Sequence, residues 1–137
     1  MKLVLDTNIF ISAFYWGGIP QKIIDRIIKG NDELYISNEI LTEVVNVMSR
    51  PSFKSGPETI DRYIKVIEKI GKKVFLTGEI NGVCRDKDDD NKIECAIKGN
   101  TDYLVTGDED LLILKEYQNI KITTPREYLD IIASTGS

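Results

Sequence analysis

Short apolar runs alternate along this chain with segments whose apolar residues recur at helical spacing. The runs at 2–5, 34–36, 74–76, 103–106 and 120–122 lack a clean in–out alternation, so each is expected to be a strand buried on both faces. Helices are expected at 9–14, 20–30, 38–50, 57–71, from Asp88 or Asp89 to Gly99, at 111–114 and at 125–132. Pro20, Pro57 and Pro125 suit a first helical position, and Ser37 suits an N-cap. Gly17-Gly18 and Pro51 are breaks, and 77–86 is a polar loop. Strand–helix alternation of this kind predicts an α/β fold. Its form is a three-layer α/β/α sandwich around a central parallel sheet of four to five strands. With 137 residues, no linker and no repeat, a single domain over 1–137 is expected.

Composition removes several kinds of chemistry. The chain has no histidine and two cysteines, Cys84 and Cys95. A disulfide framework, the usual zinc sites and histidine-based acid–base or nucleophilic catalysis are therefore excluded. No apolar run approaches the ~18 residues of a membrane helix, and the N-terminus does not read as a signal peptide. Catalysis, if present, rests on carboxylates, lysines, hydroxyls or a metal held by oxygen.

The acids are unevenly spread. Residues 79–110 carry ten Asp and Glu against four Lys and Arg. A solvated acidic face is the bland account, and a divalent-cation site is the sharper one. Position favours the second. In open α/β sheets, ligands bind at the carboxyl ends of strands, where strand order reverses. Asp6 directly follows the first strand, and Asp108 and Asp110 follow the fourth. Asp90 stands on the first turn of its helix in phase with Ile93 and Ile97, which is expected to aim it at Asp6. Glu43 rides the rim of the stripe formed by Ile40, Leu41, Val44, Val47 and Met48.

Each residue has a plainer use. Asp6 also suits a helix cap, and Asp88 and Asp89 suit first-turn acids facing the helix dipole. The run Asp86-Lys87-Asp88-Asp89-Asp90 is not a calcium loop, because Asn91 and Ile97 stand where the glycine and bidentate glutamate belong. Lys54, Lys72, Lys73, Lys92 and Arg126 are read by default as surface bases, with phosphate contact the functional alternative.

Several stretches together resemble the PIN-domain (PilT N-terminus) family, and closely its branch of VapC-type toxins. They are Leu5-Asp6-Thr7-Asn8-Ile9-Phe10-Ile11-Ser12-Ala13, then Glu43 within a helix, then Asp89-Asp90-Asn91-Lys92-Ile93-Glu94. Tyr103-Leu104-Val105-Thr106-Gly107-Asp108-Glu109-Asp110-Leu111-Leu112 and Thr124-Pro125-Arg126-Glu127-Tyr128-Leu129 complete the set, in family order. The resemblance implies a PIN-like, 5'-nuclease-like fold and a ribonuclease dependent on Mg2+ or Mn2+. It implies Asp6, Glu43, Asp90 and Asp108 as the catalytic and metal-binding acids, with Asp6 and Asp90 nearest the ion. Asp110 would be an outer acid, and Asn8, Thr106 and Asn91 would be supporting residues. It also implies an RNA substrate, a small antitoxin partner, a homodimer or higher oligomer, and a cytoplasmic location. Where the family reads D-P-D-D-N, this chain is one acid longer and lacks the proline. The third acid is therefore placed at Asp90, with Asp89 as the alternative register.

Two other readings compete. One is a PIN-like module that binds RNA or protein without cutting. The other is a haloacid-dehalogenase-like phosphatase, which wants a second aspartate two residues after Asp6, where Asn8 stands.

Overall fold

The apolar run that opens the chain lies at the middle of the sheet. A computed structural model describes residues 1–135. The elements follow in the order β1 (Lys2–Leu5), α1 (Thr7–Trp16), α2 (Gly18–Ile28), β2 (Glu33–Ile36), α3 (Asn38–Met48), α4 (Pro57–Ile70) and β3 (Gly71–Lys73). The second half holds α5 (Lys87–Lys98), β4 (Tyr103–Val105), α6 (Glu109–Leu112), β5 (Glu116–Tyr117), β6 (Ile120–Thr123) and α7 (Pro125–Ser134). The strand order is β3-β2-β1-β4-β6-β5. All pairings are parallel except β5 with β6. Leu3, Val4 and Leu5 are fully buried, as the lack of alternation requires for a central parallel strand. Helices flank this sheet, so the α/β expectation holds.

Chain reversal at β1/β4 is what makes the site. After β1 the chain winds outward through β2 and β3, and after β4 it winds the other way through β6. The carboxyl ends of β1 and β4 therefore face the crevice of the switch point. Their ladder runs one residue past the strands, because the Asp6 N–H donates to the Val105 carbonyl at 2.9 Å.

Two strand expectations change. The third strand is Gly71–Lys73, not 74–76, and the sheet has six strands rather than four to five. Gly71 follows α4 directly and pairs with Leu34, and a Cβ there would stand 3.0–3.1 Å from Ile36 side-chain atoms. Glycine at that position lets the chain enter the sheet at once, so the apolar run falls beyond the edge. Val74 and Leu76 still pack on the core, while Phe75 is exposed. The extra strand, β5, is a two-residue antiparallel segment too short to leave a pattern in sequence.

Most helix signals are realised. Ser37 caps α3 by accepting the Ile40 N–H at 3.2 Å. Thr124 and Glu127 form a reciprocal capping box on α7. Gly17, at φ 71°, ends α1 and turns the chain into α2. The isoleucines of α2 and α4 are spent mainly on the core. Ile23, Ile24, Ile27, Ile60 and Ile67 are buried, and Ile28 and Val66 are the large apolar residues these helices expose. No helix among the described residues is long and apolar enough to cross a membrane.

Helix α5 is unusual in burying charge on two faces. One face packs on β1, β2, β4 and α3. The other carries Asp90 and Glu94, one turn apart, and holds the segment 77–84 by its backbone. Glu94 accepts the N–H groups of Thr77 (2.6 Å), Gly78 (3.1 Å) and Ile80 (3.4 Å). Asp90 accepts those of Gly82 (2.9 Å) and Cys84 (2.8 Å). Five loop donors are thus satisfied by two carboxylates, with no strand or helix in the loop to do it. Replacing Glu94 with Ala strands three of these donors, and urea unfolding should show a loss of about 2–4 kcal/mol. A change below about 0.5 kcal/mol would mean the loop is held by other contacts.

Candidate metal centre

Five carboxylates come from four segments to the carboxyl edge of β1 and β4. Asp6, at the end of β1, is buried and stands at the N-cap of α1, yet its side chain makes no capping bond. Its carboxylate faces the crevice instead. Asp6 Oδ2 accepts the Thr106 hydroxyl at 2.6 Å, and Oδ1 lies 3.0 Å from the Lys92 ammonium. Thr106 in turn accepts the Asp108 N–H at 2.9 Å, so one hydroxyl ties the ends of β1 and β4 together. Asp108 caps α6 through the Asp110 N–H at 2.9 Å, with Oδ1 as acceptor. Asp110 is exposed and pairs with Arg85 at 2.9 Å. Glu43, half-buried on α3, accepts from Lys92 at 2.9 Å.

At α5 the structure differs from the helical-phase expectation. Asp90 is buried, but both its oxygens are taken by Gly82 and Cys84 of the loop. Asp89 is the α5 acid that reaches Asp108 and Asp110. One oxygen each from Asp89, Asp108 and Asp110 lie within 4.8 Å of one another. Asp89, Lys92, Ile93 and Ala96 share a helical face, and Asp90 and Glu94 share the next one. What the wheel lacks is the loop, which buries that second face and gives Asp90 backbone donors to bind.

Electrostatics agree with this division. Burial pushes the Asp89 carboxyl up to about 7, the charges of Asp108 and Asp6 add to the rise, and Lys92 opposes it. For Lys92, burial alone would lower the ammonium, but Asp6 and Glu43 more than offset this and hold it above the ordinary lysine range. Asp89 has the signature of crowded acids short of one cation.

Lys92, expected by default to be a surface base with phosphate contact as the alternative, is instead buried among the acids. Lys54, Lys72, Lys73 and Arg126 are exposed as expected for surface bases, whereas Lys92 is only 3% exposed. A signal was present, since a lysine three residues after Asp89 and four before Ala96 sits inside the apolar stripe. Asn8 is exposed on the first turn of α1, and Asn91 is half-buried on α5. The two thiols are free, Cys95 buried and Cys84 in the loop. Burial, with the Asp90 and Asp89 charges, pushes the Cys84 thiol up to about 12, so it is no nucleophile.

The donor set suits a hard divalent ion, which prefers oxygen ligands, and offers no imidazole or thiolate for a softer one. Without such an ion, Asp89 should cost stability as it ionises. Folding raises its carboxyl from the ordinary 3.8 to about 7, chiefly through burial. The folded state therefore holds the extra proton in that window, and stability falls as pH rises from about 4 to about 7. In EDTA at pH 7.5, Asp89→Asn should melt above the parent and lose that decline. A variant melting at or below the parent would contradict the crowding.

Comparison with known proteins identifies the family. The PIN-domain family model matches residues 2–110. An uncharacterised protein of Methanocaldococcus jannaschii is 31% identical, over 95% of this chain and 90% of that protein. A solved structure of VapBC2 from Rickettsia felis, bound to a DNA fragment from its promoter, shares the fold. It matches with a TM-score of 0.64 and 20% identity, over 89% of this chain and 97% of the matched chain. This chain belongs to the PIN-domain family.

Proposed function

We propose that the chain, acting as one PIN domain over 1–137, is an endoribonuclease that hydrolyses RNA phosphodiester bonds with Mg2+ or Mn2+. PIN domains are in general nucleases, and divalent-metal use is typical of them. The observation that carries the reading is the triad of Asp89, Asp108 and Asp110 oxygens at the switch point, with Asp6 beside it. Asp89, Asp108 and Asp110 are the residues to hold the ion, and the Asp6 charge lies next to them. Asp90, the third acid by sequence register, takes the structural part of anchoring the loop. A divalent ion there supplies Lewis acidity to a phosphate oxygen and a water acidic enough to attack near neutral pH.

The side chains of this chain do the rest. Thr106 and Lys92 fix both oxygens of Asp6. The Lys92 ammonium offsets negative charge that would otherwise repel an RNA phosphate. With no histidine, proton transfer falls to carboxylates, and Glu43 on the half-buried rim is the one placed to exchange with water. Arg85, exposed at the rim beside Asp110, is the base placed to meet a backbone phosphate.

We further propose that the protein is the toxin of a toxin–antitoxin pair, working in the cytoplasm as a homodimer against a small antitoxin. The support is the fold shared with VapBC2. With Ile28 and Val66 the large apolar residues exposed on α2 and α4, a dimer surface draws on other elements too. Exposed Phe14 and Trp16 at the end of α1 are candidates.

Purified protein should cut RNA with Mg2+ or Mn2+ and stop in EDTA. Loss of an ion ligand should exceed the ~10–100-fold typical of outer supporting residues. Asp89→Asn should therefore lose at least about a hundredfold while folding normally, whereas folded Asp90→Asn should stay within about tenfold. Binding of RNA without cleavage, at every metal tried, would leave the idle-module reading in its place. Inactivation by Asp90→Asn alone would return the ion to Asp90.

A further inference from the structure

The buried ammonium of Lys92 does more than fill space in the core. Taking a lysine charge out of water is costly, and an apolar side chain of similar volume commonly serves stability as well or better. Here the charge is kept, with 4% of the side chain exposed. It lies 3.0 Å from Asp6 Oδ1, 2.9 Å from Glu43 Oε1 and 3.9 Å from Asp89 Oδ1. These acids come from the end of β1, from α3 and from α5.

The acids at the edge therefore fall into two sets with one shared member. Asp89, Asp108 and Asp110 bring three oxygens together, with the rim residue Arg85 on Asp110 and the Lys92 ammonium at 3.9 Å from Asp89. Asp6 and Glu43 share Lys92. Asp89 belongs to the first set and stands within ion-pair distance of the ammonium. Two-ion phosphodiester sites place their cations about 3.5–4 Å apart with carboxylates around both. We infer that the Lys92 ammonium takes the place of a second divalent cation, so that the site holds one ion on Asp89, Asp108 and Asp110. This rests on the metal-dependent reading above.

The consequence is a division of labour. A tethered ammonium cannot dissociate, so Asp6 and Glu43 stay positioned at any metal concentration. It carries one charge and cannot acidify water, so Lys92 is a positioning residue. A second ion would need the Asp6 and Glu43 oxygens that Lys92 already holds.

Manganese counting on the full chain tests this without reference to RNA cleavage. Equilibrium dialysis should find one Mn2+ per wild-type chain, with the spectrum of an isolated ion by electron paramagnetic resonance. Lys92→Met, which removes the charge and keeps the length, should take up two Mn2+ and show a coupled-pair spectrum. Lys92→Arg, which restores a cation, should return to one. Two ions in the wild type, or one in a folded Lys92→Met, would overturn the inference. If Lys92→Met does not fold even in manganese, the wild-type count decides alone, one supporting and two overturning. No bound manganese in the wild type would instead overturn the metal-dependent reading itself.

Discussion

Repulsion among carboxylates at the carboxyl edge of β1 and β4 is the constraint that the rest of the site answers. The fold brings Asp6, Glu43, Asp89, Asp108 and Asp110 there, and crowded anions in a half-dry crevice oppose folding. Three devices relieve the strain. The Thr106 hydroxyl and Lys92 ammonium hold Asp6, Lys92 also takes part of Glu43, and Arg85 reaches Asp110 from outside. Asp89 remains the acid least relieved, its carboxyl raised to about 7 by burial first and by the charges of Asp108 and Asp6 besides. A divalent ion is the natural complement to that remainder.

Helix α5 joins this chemistry to the fold. Its sheet-facing side presents Asp89 and Lys92 to the crevice, and its loop-facing side presents Asp90 and Glu94 to five backbone N–H groups. Adjacent residues on a helix are about 100° apart, so neighbouring acids can do unrelated work. Asp90 is buried and next to the centre, yet its side chain is committed to architecture. Asp89 is the one left without backbone donors. The loop in turn carries Arg85 to the rim, so its anchoring bears on the site indirectly.

Much of this was legible in the chain. The strand at 2–5, the caps at Ser37 and Thr124, and the placement of Asp6, Asp108 and Asp110 followed from apolar runs and turn residues, which act locally. The misses were tertiary. Gly71 moved the third strand, because only its fit against Ile36 fixes where the chain joins the sheet. Glu94 stood in a recognisable motif with no visible role, since its partners lie 14–17 residues away in a loop without periodicity. Lys92 looked like a surface base because lysines usually are, and only the acids gathered from β1 and α3 make its burial possible.

The account turns on which α5 acid meets the ion and what sits beside it. A crystal of the protein grown or soaked with manganese, with the anomalous signal measured at the manganese edge, tests both at once. The account predicts a single peak within about 2.0–2.2 Å of carboxylate oxygens of Asp89 and Asp108. Lys92 should remain between Asp6 and Glu43, and Asp90 should still be bound to Gly82 and Cys84. A peak coordinated by Asp90, or one standing in the place of the Lys92 ammonium, would contradict it.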